Sequence, residues 1–163
     1  MDQSDIVIAK IKGNDDIEVV NDIFFECNNC ALCCKMNEVP VTEKDITRIL
    51  DHGFELDQFL KELSPVLIRS HQKKDSFIKA YFLKKKPFVK ECVFLDENQK
   101  CKIHKYKPLS CCIYPFAVRK DDESFLVIVH PKSVCVSIDM DVNKKKSNTK
   151  EIVENLLSFE FLE

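Results

Sequence analysis

The chain has 163 residues, 45% of them hydrophobic, and carries 25 Lys and Arg against 27 Asp and Glu. This length suits a single domain with its own core, and the balanced charge predicts no general attraction to nucleic acid or to an anionic membrane. The N-terminal residues show no signal-peptide pattern, and no stretch approaches the ~18 apolar residues that span a bilayer. We therefore expect a cytoplasmic protein, where thiols stay reduced or bind metal.

The first predicted element is a β-hairpin. Residues 5–11 and 17–25 are rich in β-branched and aromatic side chains, and the turn-forming segment 13–16 lies between them. The first group of cysteines follows this hairpin directly.

Two helices are predicted next. Thr42 is a suitable N-cap, acidic residues occupy the first turn after it, and Gly53 is placed to end the helix. Apolar residues then recur at helical spacing over 56–63, up to the stop at Ser64-Pro65.

The later elements are two strands and a final helix. Residues 77–83 and 125–130 are predicted strands, the second apolar enough to be buried on both faces, and a helix is predicted over roughly 149–160. The pattern predicts an α+β fold: one small domain over residues 1–163, with a few antiparallel strands and about three helices. Its loop-rich cysteine segments would be held together by metal.

The first cysteine group is Cys27-x-x-Cys30-x-x-Cys33-Cys34. Two-residue spacers let a tight turn direct successive sulfur atoms towards one metal, as in zinc knuckles and ferredoxin loops. Because neighbouring side chains tend to diverge, we do not expect Cys33 and Cys34 to bind one ion. One would complete the local tripod, while its neighbour faces a second site, a partner sulfur or the core.

The second cysteine group is spread over residues 92–112, and Cys135 follows later. The turn-forming residues 96–98 would let a short hairpin bring Cys92 and Cys101 together. The total of nine cysteines is odd, so disulfides cannot use all of them. His104, three residues after Cys101, has a workable spacing for zinc. The predicted metal ligands are Cys27, Cys30, Cys33, Cys34, Cys92, Cys101, Cys111 and Cys135.

The cysteine motifs resemble those of the YkgJ-type cysteine-cluster family. The matching motifs are Cys-x2-Cys-x2-Cys-Cys at 27–34, Cys-x-Phe-Leu at 92–95, Cys-x-Ile-His at 101–104 and Lys-Pro-Leu-x-Cys-x-x-Tyr-Pro-Phe at 107–116, within a core of 25–116. The resemblance implies a zinc- or iron-chelating domain. Two positions depart from the family pattern. Ala31 replaces a common glycine, and Cys112 replaces a frequent arginine, so Cys112 is left out of the predicted ligands.

Two cofactors remain open on the sequence: an iron–sulfur cluster of the 4Fe-4S type, or Zn²⁺ in the same place. The leading arrangement is a four-iron cluster held by Cys27, Cys30, Cys33 and Cys111. Four thiolates around either centre leave a net charge near −2, which needs nearby cations when buried. Lysines could supply these cations. The same lysines could instead form a solvated face or contact phosphates. The candidates are Lys84, Lys85, Lys86, Lys90, Lys100, Lys102, Lys105 and Lys107.

Three functional hypotheses follow. The first is a metal- or cluster-binding protein, redox-active or part of an enzyme, whose partners are the metal centre and another protein. The second is a structural zinc module for protein or nucleic-acid interaction, although the lysine segment lacks the repeated aromatic residues of a nucleic-acid surface. The third is a lysine methylase-like enzyme, because the flagellin lysine-N-methylase has a similar cysteine cluster, linked to an iron–sulfur centre and S-adenosylmethionine. With only Gly13 and Gly53, however, the chain has no glycine-rich nucleotide loop, and no catalytic residue can be assigned.

Overall fold

A computed structural model describes residues 5–13, 16–36, 38–69, 76–129, 135–143 and 145–159. These residues form five α-helices, one 3-10 helix and nine strands, and every paired strand is antiparallel, which confirms the α+β class. In chain order the elements are β1 Ile6–Lys12, β2 Asp16–Val19, β3 Phe24–Phe25, α1 Leu32–Met36, β4 Pro40–Val41, α2 Glu43–Leu50, α3 Leu56–Phe59, β5 Val66–Arg69, β6 Phe77–Phe82, the 3-10 helix His104–Tyr106, α4 Leu109–Ile113, β7 Phe116–Asp121, β8 Ser124–Val129, β9 Ile138–Asp139 and α5 Thr149–Leu157. No helix in these ranges is long and apolar enough to cross a membrane.

The described chain divides into two compact units. The first contains residues from 1–28 and 113–163, and the second contains residues from 29–69 and 76–112. Each unit has its own sheet and its own buried residues, so each is described by itself.

The first unit is built on a four-stranded sheet in the order β2-β1-β8-β7. The predicted hairpin is confirmed, since β1 pairs with β2 from Ala9↔Val19 to Lys12↔Asp16. The second strand is shorter than predicted, because Phe24 and Phe25 pair instead with β9. The predicted late strand and final helix correspond to β8 and α5, which bury Val127, Val129 and Val153 completely.

The second unit is built on a three-stranded sheet in the order β4-β6-β5, with α2 and α3 nearby in sequence. The predicted N-cap is confirmed: Thr42 and Asp45 form a capping box at the start of α2. Gly53 adopts a left-handed φ of +87° just after the helix ends, as its predicted stop role requires. The core packs Val41, Ile49 and Phe59 against residues of the second cysteine group.

The predicted helix over 56–63 is wrong in its length. The helix α3 ends at Phe59, and Leu60 turns to an extended conformation and forms a β-bridge with Leu83. This turn buries both Phe59 and Leu60, whereas Leu63 is 63% exposed. The apolar side chains of Phe59 and Leu60 are therefore buried with Leu60 in an extended conformation, without a further helical turn.

Two short helices lie where the sequence predicted only loops. The helices α1 and α4 have five residues each and carry Cys33, Cys34, Cys111 and Cys112. Helices this short have no detectable apolar period and depend on tertiary contacts for stability.

Candidate metal centre

Five cysteine side chains of the second unit interact with one another. Cys34, Cys101 and Cys111 pack against the buried core that contains Cys92, and the charge or hydrogen bonding of other thiols in the set, Cys33 included, affects the pKa of each. We call this set the five-cysteine cluster; it consists of Cys33, Cys34, Cys92, Cys101 and Cys111. Cys92 is buried, the other four are partly buried, and all five are free thiols.

The first two cysteines of the cluster are positioned by a left-handed residue and a short helix. Ala31 has a φ of +58°, and its carbonyl oxygen accepts hydrogen bonds from the N–H groups of Cys34, at 3.1 Å, and Lys35, at 3.2 Å. These bonds start α1. The carbonyl oxygen of Cys34 then accepts a 2.8 Å hydrogen bond from the N–H of Cys92, which joins two segments of the cluster.

Cys92 and Cys101 come together through a tight turn, as predicted. Cys92 forms a β-bridge with Lys85, and Cys101 forms one with Leu95. Asp96 closes the turn between them: its N–H donates to the Lys100 carbonyl at 2.8 Å, and its side chain accepts the Lys100 N–H at 2.8 Å. The bridges place Cys92 and Cys101 close enough for the charge of Cys92 to raise the pKa of Cys101.

Cys111 is held through α4 by polar contacts to distant residues. The Leu109 N–H donates to Asp45 Oδ1 at 3.1 Å, and Ser110 Oγ donates to the Pro40 carbonyl at 2.7 Å. The N–H of Cys111 donates to the Pro108 carbonyl at 2.9 Å, which completes the first turn of the helix. The cluster thus combines three separate parts of the chain.

Burial is the main cause that raises the pKa of three cluster thiols. It raises the pKa of Cys92, Cys101 and Cys111, that of Cys111 to about 12, and neighbouring thiols add to the rise. A hydrogen bond from Cys34 lowers the pKa of Cys33 to about 6, and the same bond raises the pKa of Cys34. The thiols can therefore ionise together only when a cation compensates their charge.

Three lysines lie close enough to act on the cluster electrostatically. Lys107 lowers the pKa of Cys33, while Lys85 and Lys86 oppose the rise in the pKa of Cys92. The Nζ atom of Lys85 is fully buried and has no hydrogen-bond partner in the described part of the chain. A buried ammonium without a partner is costly, so this position favours an anion beside Cys92.

Cys112 has different surroundings. Its Sγ atom lies 3.7 Å from the Lys107 carbonyl oxygen, and its pKa, which burial raises, is affected by Lys107, Arg48 and Asp45. These are the surroundings of a residue beside an ion pair, since Arg48 and Asp45 form a salt bridge. Cys111 and Cys112 therefore diverge.

Cys33 and Cys34 interact with each other, which is the partner-sulfur case among the alternatives expected for this pair; that the two do not bind one ion stays a prediction. Their side chains are hydrogen-bonded to each other, and the pKa of Cys34 is raised further by its neighbours Cys92 and Cys101. Two adjacent residues in α1 thus both belong to the cluster.

The remaining predicted ligands are not among the five cysteines of this cluster. Cys30 is exposed on the second unit, whereas Cys27, which is exposed, and Cys135, which is partly buried, belong to the first unit. His104 is exposed at the start of the 3-10 helix.

The donor chemistry of the cluster fits a thiophilic metal or an iron–sulfur cluster, because five thiols converge beside a buried cation. Among the residues described, no three side chains of His, Cys, Asp or Glu are arranged to hold a metal ion as they stand. Rotation of cysteine side chains between staggered χ1 wells, or a larger bound group, would bring donors and metal together.

Comparison with known proteins identifies a family but no solved structure. Residues 26–146 match the CxxCxxCC family, described as a "Putative zinc- or iron-chelating domain". An uncharacterized protein of Methanocaldococcus jannaschii is 31% identical over 102 residues, which cover 61% of this chain and 49% of that protein. The chain thus spans about half the length of this curated relative. No solved structure matches the chain.

Proposed function

The chain belongs to the CxxCxxCC family, and on that premise we propose that it binds an iron–sulfur cluster of the four-iron type through cysteine thiolates. The five-cysteine cluster supplies more than the four ligands that such a group needs. Cys27 and Cys30, at the exposed start of the same motif, and Cys135 remain in the proposal as further ligands.

The observation that carries this proposal is the buried Lys85 ammonium. Its Nζ atom is excluded from water, and the neighbouring groups that could become anionic include the thiol of Cys92. A centre with four thiolate ligands carries a net negative charge, which offsets the cost of burying Lys85. A cluster of neutral thiols provides no such compensation.

The spacing of the donors supports a cluster over a single ion. A zinc ion binds sulfur at ~2.3 Å, so its ligands must lie close to one another. No three described side chains meet that requirement, although five thiols interact electrostatically. A four-iron cluster is larger and accepts ligands that are further apart, so it does not require three thiols to meet at one ion.

When bound, such a cluster supplies one-electron redox chemistry. The protein's own residues would bind it, exclude water and set the local charge. Phe94 and Ile103 are buried beside Cys92, Cys101 and Cys111, which provides apolar surroundings on that side. We further propose that the protein acts in the reducing cytoplasm, where thiolates persist, and exchanges electrons with a partner protein.

A structural zinc site is the second candidate, and the lengths of α1 and α4 favour it. Each helix has five residues, too few for independent stability, so a metal that links Cys33 or Cys34 to Cys111 would order both. Such a site would require the cysteine side chains to move closer together.

The deciding experiment is elemental and sulfide analysis of the full chain, purified without oxygen, together with optical and electron-spin resonance spectra. Iron and acid-labile sulfide in equal amounts, with broad visible absorption that bleaches on reduction, would support the proposal. A colourless protein with one zinc ion per chain would replace it with the structural zinc site. A folded protein without either metal would overturn both.

A further inference from the structure

The loop over residues 86–91 displays an aromatic side chain on a strained turn. The Lys86 N–H donates to the Glu91 carbonyl at 2.7 Å, and the Lys90 N–H donates to the Lys86 carbonyl at 3.2 Å, so the loop is closed at its base. At its apex the Val89 N–H donates to the Pro87 carbonyl at 2.9 Å, and Phe88 has a φ of +69°. This is a γ-turn of the positive-φ kind, which is rare and strained.

The apex of this loop is apolar and uncovered. Phe88 is 101% exposed and Val89 is 61% exposed. Single exposed apolar residues are common, but a fully exposed phenylalanine held in a strained, hydrogen-bonded turn is not. The backbone hydrogen bonds close the loop, and the ring of Phe88 lies in solvent.

Basic side chains surround the base of the loop. Lys84 and Lys90 are exposed, and Lys86 is partly exposed. The acidic Glu91 is 21% exposed and lies 3.8 Å from Lys86 and 4.0 Å from Lys35. Cations thus outnumber this single carboxylate, although the chain as a whole carries a net charge of −2.

We propose that this loop binds the surface of an anionic phospholipid bilayer, with Phe88 and Val89 inserted among the acyl chains. The apolar and basic residues of the loop follow the same order as the layers of a bilayer. The apolar apex enters deepest, and the lysines behind it lie at the level of the anionic headgroups. Lys85 and Cys92 form a β-bridge immediately below the loop, so the insertion tip is joined directly to the backbone of the cysteine cluster.

The convex shape of the apex favours a fluid surface over other occupants. A protein partner would need a pocket that receives one protruding ring, whereas a bilayer accepts it without a complementary shape. A single-stranded nucleic acid would stack its bases on several aromatic rings, and Phe88 is the single aromatic residue of this loop.

The test uses the absence of tryptophan from the chain. A Phe88→Trp variant of the full chain, with its metal retained, is titrated with vesicles of phosphatidylcholine and phosphatidylserine, and with vesicles of phosphatidylcholine alone. We expect a blue shift of the emission with the anionic vesicles that is reversed by high salt. A matched Phe77→Trp variant, in which the replaced ring is 63% exposed on β6, should show no shift. In co-sedimentation, Phe88→Asp should lower vesicle binding by at least about tenfold.

Several results would overturn this proposal. The emission could stay unchanged with anionic vesicles, or it could shift equally with uncharged vesicles. It could instead shift with single-stranded RNA or polyglutamate but not with vesicles, or shift with rising protein concentration when no vesicles are present. The last would identify a second copy of the chain as the occupant. Circular dichroism and metal content, measured on each variant, separate a loss of folding from a loss of binding.

Discussion

Asp45 Oδ1 accepts a hydrogen bond from the backbone N–H of Leu109 at 3.1 Å, across 64 positions of the chain. The same carboxylate caps its own helix through Thr42 and pairs with Arg48, and it is 2% exposed. One buried side chain therefore joins the start of α2 to the start of α4, the helix that carries Cys111.

Replacing Asp45 should weaken both the fold and the metal centre. We expect Asp45→Ala to lower the free energy of unfolding by about 2–4 kcal/mol, because the change removes the carboxylate half of the capping box and leaves the Leu109 N–H without an acceptor. It should also reduce the metal content, since α4 loses its attachment. Denaturant unfolding and elemental analysis measure the two effects. Asp51→Ala, at the exposed end of the same helix, should change stability by no more than ~0.5 kcal/mol; equal effects of the two substitutions would contradict this role.

The adjacent cysteines of α4 should differ in their effects on metal binding. Cys111 interacts with Cys92 and Cys101, whereas Cys112 lies beside Lys107 and Arg48. We expect Cys111→Ala to weaken metal retention against a chelator by at least ~10-fold, and Cys112→Ala to leave it nearly unchanged. Metal release is followed by absorbance. If Cys112→Ala released the metal and Cys111→Ala did not, the cluster would be assigned to the wrong face of α4.

Lys85 should have opposite effects on the metal-free and metal-bound protein. In the metal-free chain, Lys85→Met removes a buried, unpartnered ammonium, and we expect the free energy of unfolding to increase by about 1–3 kcal/mol. In the metal-bound chain it removes a compensating positive charge, so metal retention should weaken and the reduction potential should become more negative. Lys90→Met, at an exposed position, is the control and should change neither property. A loss of stability in both forms would show that Lys85 has a different partner.

Ala31 occupies a conformation that suits glycine, so Ala31→Gly should be tolerated. Relief of left-handed strain, about 1–2 kcal/mol, offsets the loss of a buried methyl group, about 0.8 kcal/mol, and the entropy cost of glycine, about 0.5–1 kcal/mol. We expect a net change in stability within ~0.5 kcal/mol of zero. Ala80→Gly, at a buried position of strand β6, relieves no strain and should cost about 1.3–1.8 kcal/mol. Thermal unfolding of both variants measures the contrast, and equal losses would argue against strain at residue 31.

The metal-free protein should lose stability in alkaline solution. Burial raises the pKa of Cys111 to about 12, whereas the thiol of the unfolded chain ionises near its ordinary pKa of about 8.5. Above that lower value the unfolded state binds fewer protons than the folded state, so this group's contribution to stability falls by roughly 1.4 kcal/mol per pH unit, until the folded thiol ionises too. Unfolding measured between about pH 8 and about pH 10 should show a shallower decline for Cys111→Ala than for the unaltered chain. Identical declines would show that this thiol is not buried in solution.

Much of the fold could be predicted because it depends on local patterns. The hairpin of β1 and β2, the capped helix α2, strand β8 and helix α5 each have a run of apolar periodicity or a cap that a short window of sequence reveals. The helix over 56–63 was overextended because the same apolar spacing can be buried by strand pairing. In the protein, Leu60 pairs with Leu83, more than twenty positions away, and no local pattern records that contact.

The sequence by itself determined that the cysteines are candidate ligands: their number is odd, their spacing repeats, and their motifs match a chelating family. Only the tertiary structure decided which of them meet. Sequence spacing predicts a single tripod of Cys27, Cys30 and Cys33, which stays a prediction, and the fold adds the interaction of Cys33 and Cys34 with Cys92, Cys101 and Cys111. The physical reason is that side-chain direction depends on backbone conformation and on distant hydrogen bonds. Ala31 starts the helix that carries the first pair, and Asp45 anchors the helix that carries Cys111.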